Sequence, residues 1–193
     1  MDIAILDGDC FSLMWLKFSI ENDLKMNCGL ATQSESEFIS AIDIENLVDG
    51  AIIHFDHKCF NTLLAINQFI LKKGSSKLIV MLEVKSKDIL NLMRCLGVVW
   101  VVFRGERIDL VRKLTRDAML LIANAYVTES ENHCERDLLT QREIMVMHDL
   151  LNGLTISEMA KKRFLSIKTI SAHKCNAMRK IGCNKINKFF KRC

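Results

Sequence analysis

Ser166-Ile167-Lys168-Thr169-Ile170-Ser171-Ala172-His173-Lys174 lies about two dozen residues after Leu139-Thr140-Gln141-Arg142-Glu143. At about 100° per residue, the segment opened by Ser166 has two unlike faces. Ile167, Ile170, Ala177, Met178 and Ile181 fall on one, and Lys168, Ser171, Ala172, Cys175 and Arg179 on the other. An ordinary solvent face would carry long charged side chains throughout. Here small residues occupy the middle and basic ones the ends. Small side chains let a helix backbone approach base edges, while Lys and Arg reach phosphates. Lys174 departs from this division, projecting toward the apolar side with its stem along the core and its ammonium outward.

Upstream of this stretch, Thr140-x-x-Glu143 and Thr155-x-x-Glu158 are capping-box patterns, in which Thr and Glu bond each other's backbone amides. They start two helices. The first carries Ile144, Met147, Leu150 and Leu151 on one side, with Gly153 suited to its end. The second, Ile156 to about Lys162, is short and buries Ile156, Met159 and Ala160. Ser166 caps the third. A fourth, roughly Lys185 to Arg192, is expected to place Ile186, Phe189 and Phe190 against the core. The segment therefore reads as an all-α four-helix unit with helix-turn-helix layout, which sets one helix in the DNA major groove.

Charge agrees with this reading. Residues 1–137 hold 15 Lys+Arg and 20 Asp+Glu, a net of −5, whereas 138–193 hold 12 and 3, a net of +9, together the +4 of the whole chain. A small unit with that excess attracts a polyanion, so double-stranded DNA is the expected partner.

The first 124 or so residues alternate apolar runs with amphipathic stretches. Strands are expected at Ile3–Leu6, Cys28–Ala31, Ala51–Phe55, Leu78–Leu82 and Val98–Phe103. Helices are expected at Phe11–Ile20, Glu35–Leu47, Phe60–Lys72, Lys87–Leu96 and Glu106–Ala123. Such alternation implies a doubly wound α/β domain with a parallel five-stranded sheet buried on both faces. The domain is assigned to residues 1–124, a polar linker to 125–137, and the helical unit to 138–193.

No apolar run approaches the ~18 residues of a membrane span. The start, Met1 to Asp7, is acidic and strand-like rather than basic, so a cytoplasmic location is expected. The eight cysteines form no Cys-x-x-Cys pair and no zinc-ligand spacing, and read mainly as reduced, buried thiols. In His54-Phe55-Asp56-His57, strand geometry turns residue 57 off the face shared by 54 and 56, so a metal site is not expected. No cofactor is expected. Neither a nucleophile–base arrangement, a Gly-rich phosphate loop nor a paired-carboxylate pattern appears, which argues against an enzyme.

The order and spacing of Leu-Thr-x-Arg-Glu, Gly153 to Ala160, Lys168 to His173 and Arg179-Lys180-Ile181-Gly182 resemble the LuxR/FixJ/NarL-type DNA-binding domain over about Leu138–Phe190. The wording Ser-Ile-Lys-Thr-Ile-Ser is similar to the Rcs capsule-synthesis regulators of enterobacteria. The resemblance implies that Ser171, Ala172 and Cys175 face base edges, with Lys168, Thr169, His173 and Lys174 near the backbone. Cys175 stands where many relatives carry a longer polar side chain.

The βα pattern in turn resembles a receiver domain. The resemblance implies an acidic pair for Mg²⁺, a phospho-accepting Asp, a Ser/Thr and a Lys. Asp7 matches the first acid, Gly8 stands in its neighbour's place, and Asp9 comes one position late. Asp56 matches the phospho-acceptor, Leu82 or Glu83 stands where the hydroxyl belongs, and Arg104 replaces the Lys. A guanidinium is not an equivalent point charge. The expectation is a degenerate receiver that works without phosphorylation, as a homodimer or as an auxiliary subunit paired with a response regulator. Two alternatives stay open: an interaction module that titrates a regulator without binding DNA, and a phosphorylation-driven regulator with unusual site residues.

Overall fold

The computed structural model describes residues 2–44, 47–56, 60–104, 138–184 and 189. Its N-terminal unit holds strands β1 (Asp2–Leu6), β2 (Asn27–Thr32), β3 (Gly50–Phe55), β4 (Leu78–Leu82) and β5 (Trp100–Phe103). Helices α1 (Cys10–Phe18), α2 (Glu35–Ile42), α3 (Thr62–Lys73) and α4 (Lys87–Leu96) alternate with them. All pairings are parallel, in the order β2-β1-β3-β4-β5. The expected receiver-like α/β sheet is therefore present.

Period-two alternation sends the strand side chains to two apolar layers. Ile3, Ile5, Ile52, Ile79, Met81 and Val102 pack with Leu16 and Ile20. Ala4, Leu6, Ala51, Ile53, Phe55, Leu78, Val80 and Leu82 pack on the opposite side with Phe38, Leu63, Ile66, Phe69 and Leu92. Fully burying one such large aliphatic or aromatic side chain is worth about 1.5–3 kcal/mol, so these layers fix the ends of the strands where the acidic residues sit.

Several boundaries differ from expectation. Helix α1 stops at Phe18 and continues as a wider turn over Ser19–Asp23, which buries Ser19 and Ile20. Helix α2 ends at Ile42 rather than Leu47, with Asp43 at its C-cap. Strand β5 begins only at Trp100, because Val98 is still bonded back to Met93 beyond the α4 end. The expected helix 106–123, the linker 125–137 and most of the fourth C-terminal helix lie outside the described residues.

In the C-terminal unit, α5 (Gln141–Leu151), α6 (Ile156–Lys162) and α7 (Ile167–Ile181) follow the caps closely. Both capping boxes form, and Ser166 accepts from the Thr169 amide. Val146, Met159, Ala160 and Ile170 make a small core among the three helices. Phe189 is buried, as expected.

The two units share one continuous apolar layer. Leu139, Ile144, Met147, Leu151, Met178 and Ile181 pack in the same cluster as residues of α3 and α4. Polar bonds cross the seam. Asn67 and Gln141 exchange two amide hydrogen bonds at 2.9 and 3.2 Å, the Leu139 amide donates to Cys95 O at 2.7 Å, and Asn91 donates to Ile181 O at 3.1 Å.

Candidate nucleic-acid interface

Helix α7 turns its apolar side, Ile170, Ala177, Met178 and Ile181, into the protein. Lys168, Ala172, Cys175 and Arg179 are exposed on the other side, and Ser171 is half-buried beside them. Thr169, His173 and Lys174 are also half-buried. The Thr169 hydroxyl lies 2.8 Å from the Ser166 hydroxyl, so it is engaged in the cap. One expectation is corrected: Ile167 does not back the helix but is 57% exposed. It is the first helical residue, and the apolar layer beneath begins one turn later, at Ile170.

Two ion-pair clusters hold α7 and its supports in place. Lys180 donates to Glu143 and to Leu138 O, each at 2.8 Å. Burial pushes the Glu143 carboxyl up, but Lys180 and the Thr140 bonds outweigh it and leave it below the usual carboxylate range. Asp149, only 1% exposed, receives Arg163 Nε at 2.8 Å and Lys162 Nζ at 3.1 Å, tying α5 to the end of α6. Burial raises its pKa and these two cations lower it further than burial raises it.

The acidic positions of the N-terminal unit lie around a cleft at the C-terminal ends of the strands, lined among others by Asp9, His54, Asp56, Glu83 and Arg104. Asp7 is fully buried and bonded to His54 Nδ1 at 2.9 Å. Burial pushes the Asp7 carboxyl up, and the bonds from His54, Ser12 and the Asp9 amide bring it below its ordinary value. Asp9 caps α1 and bonds Arg104, whose guanidinium is the main reason its carboxyl sits low. Arg104 also stands 3.5 Å from Glu83. Asp56 follows β3 and lines the cleft, half-buried. Sequence reasoning did not foresee the Asp7–His54 pair or the Arg104 bridge. The available signal was His54, the one polar residue in an otherwise apolar strand.

No group of three His, Cys, Asp or Glu arranged to hold a metal occurs among the described residues. Among the described thiols Cys10 departs from the expected burial, whereas Cys175 lies on the side expected to face outward. Cys95 and Cys183 are buried and Cys28 is half-buried, but Cys10 and Cys175 are exposed. Among the described residues, no helix is long and apolar enough to cross a membrane.

A receiver-like parallel α/β unit joined to a helix-turn-helix unit is the class that this fold defines. Residues 137–189 match the family described as bacterial regulatory proteins, luxR family. The segment is similar to the Fimbriae Z protein of Salmonella typhimurium, 46% identical over 48 residues, covering 25% of this chain and 23% of that protein. The Fimbriae Z protein of Escherichia coli K12 is 40% identical over 57 residues, covering 30% and 27%. The matches thus span about a quarter of the length of these curated relatives. Among solved structures, RcsB from Salmonella enterica serovar Typhimurium bound to promoter rprA superposes with a TM-score of 0.62 at 20% identity, covering 100% of both chains. Full-length FixJ from B. japonicum gives 0.51 at 18% identity over 97% and 93%. At these identities the structures show a shared fold.

Proposed function

We propose that this chain is a sequence-specific DNA-binding transcription regulator acting in the bacterial cytoplasm, and not an enzyme. Its division is read as a degenerate receiver-like domain at 1–124, a linker at 125–137 and the reading unit at 138–193. The observation that carries the proposal is the outward face of α7: Lys168, Ala172, Cys175 and Arg179 exposed, small residues at its centre and bases at its ends. Ser171, Ala172 and Cys175 meet base edges, and Lys168, Thr169, His173, Lys174 and Arg179 lie toward phosphates. The +9 of residues 138–193 supplies the general attraction to DNA. Salt-dependent duplex binding by the full chain tests this, and a chain that binds no duplex at low salt removes it.

Regulation is proposed to be independent of phosphate. Asp7 is spent on His54, Asp9 on a helix cap and Arg104, and no hydroxyl stands at Leu82 or Glu83. The chain works as a homodimer, or as an auxiliary subunit beside a response regulator, so that two reading helices meet two half-sites. A pulldown against a response regulator, with and without duplex, separates these.

A second reading, an interaction module that titrates a regulator without touching DNA, is favoured by one observation. Phe11, Met14 and Phe18 form an exposed apolar stripe at helical spacing on α1. Met14→Glu that abolishes regulator binding, in a chain with no duplex affinity, would establish that reading.

A further inference from the structure

The turn between α6 and α7 differs from the ends of α4, α5 and α7, and shares a non-glycine residue at positive φ only with Lys25, beyond α1, among the described residues. Among the described residues, α4, α5 and α7 are each closed by a glycine at positive φ, Gly97, Gly153 and Gly182. Helix α6 closes with the same bonds: the Phe164 amide donates to Lys161 O at 3.3 Å and the Leu165 amide to Ala160 O at 3.0 Å. The residue in the left-handed position is here Phe164, at φ 53°, with its ring 96% exposed. An L side chain is disfavoured in that conformation, and a ring in water gains nothing by burial. Neither local geometry nor packing accounts for phenylalanine here.

Its surroundings name the partner. Three residues on, Ile167 is also exposed, at the first position of the proposed reading helix. Lys161, Lys162, Arg163 and Lys168 flank the turn in sequence. The nearby acids are already held, since Glu158 bonds the Thr155 amide and hydroxyl, and Asp149 is buried on Lys162 and Arg163. The apolar edge thus sits in a positive field at the end of α7 that leads into the groove. The one apolar group that base pairs present in the major groove is the thymine C5 methyl.

We propose that Phe164 and Ile167 form an apolar reading edge that packs on thymine methyl groups at one end of the half-site. This rests on the DNA-binding reading above and adds to it a base preference and two residues.

The test uses the full chain and a duplex selected from a random pool, with each thymine replaced in turn by deoxyuridine. Removing a contacted methyl should weaken wild-type binding about four-fold. In Phe164→Gly or Ile167→Ala that position should no longer discriminate, and affinity for an unrelated duplex should stay unchanged. Phe164→Gly should melt no lower than wild type, because glycine suits the left-handed cap. Phe164→Asn, which also tolerates that conformation, repeats the test with a different side chain. Unchanged specific affinity in these variants, equal losses on both duplexes, or persisting discrimination against deoxyuridine would overturn the edge while leaving DNA binding intact. A wild-type chain that binds no duplex overturns the underlying reading, and the edge with it.

Discussion

Asp7, one residue past the end of β1, and His54, on the neighbouring parallel strand β3, meet at 2.9 Å inside the α/β unit. A receiver needs that acid free to hold a cation; here it is buried and hydrogen-bonded to an imidazole. Incubation with a small phosphodonor and Mg²⁺ should therefore leave Asp56 unlabelled and duplex affinity unchanged. Mass spectrometry of the intact chain reads the first and titration the second. Stoichiometric labelling with a gain in affinity would contradict phosphate independence.

Lys168 is exposed at the start of α7, where it can reach a phosphate but not specify a base. Lys168→Ala should weaken binding to every duplex alike and reduce the slope of log affinity against log salt by about one unit. Ala172→Gln, at the small centre of the face, should instead weaken the selected duplex more than an unrelated one. Equal losses for Ala172→Gln would remove this side of α7 from the groove.

Asp149 is nearly inaccessible and holds two cations, so its folded pKa lies below the unfolded value of about 3.9. A depressed carboxylate pKa gives stability that is complete above the unfolded value and is lost as pH falls through the folded one. Thermal midpoints should fall on acidification below about pH 4, and Asp149→Asn should flatten that acid limb. At neutral pH the same substitution should cost about 1–3 kcal/mol, because a buried group that holds two cations loses its charge. An acid limb identical in wild type and variant would show that other carboxylates dominate.

Asn67 and Gln141 exchange two bonds across the seam between the units. Asn67→Ala should lower stability by about 1 kcal/mol and speed exchange of the Leu139 amide, which is bonded to Cys95 O. Duplex affinity should stay within about two-fold, since a 1 kcal/mol change confined to the seam touches neither side of the binding equilibrium. A large gain in affinity would instead reveal a seam that restrains the reading helix.

The fold was legible where the pattern is local. Capping boxes at Thr140 and Thr155 marked helix starts to the residue, and the apolar runs of β3 and β4 placed the central strands. The outward side of α7 followed from periodicity alone, apart from Ile167. That residue lies on the apolar side by angle, yet the layer it would join starts a turn later. What escaped the sequence was non-local. Nothing in Asp7 or His54 alone says that they pair 47 residues apart, and the seam through Asn67 and Gln141 depends on how two units meet. The cap at Phe164 was within reach: α4, α5 and α7 end on glycine, and the end of α6 does not.

With α5 and α7 seated on α3 and α4, Lys168, Ala172, Cys175 and Arg179 still face solvent. A protein that must first release its reading surface binds with an apparent affinity reduced by the fraction already released. Among the described residues no such step stands before the proposed contact. On that proposal, occupancy of a site follows the amount of the assembled protein, so that its making and removal set the response.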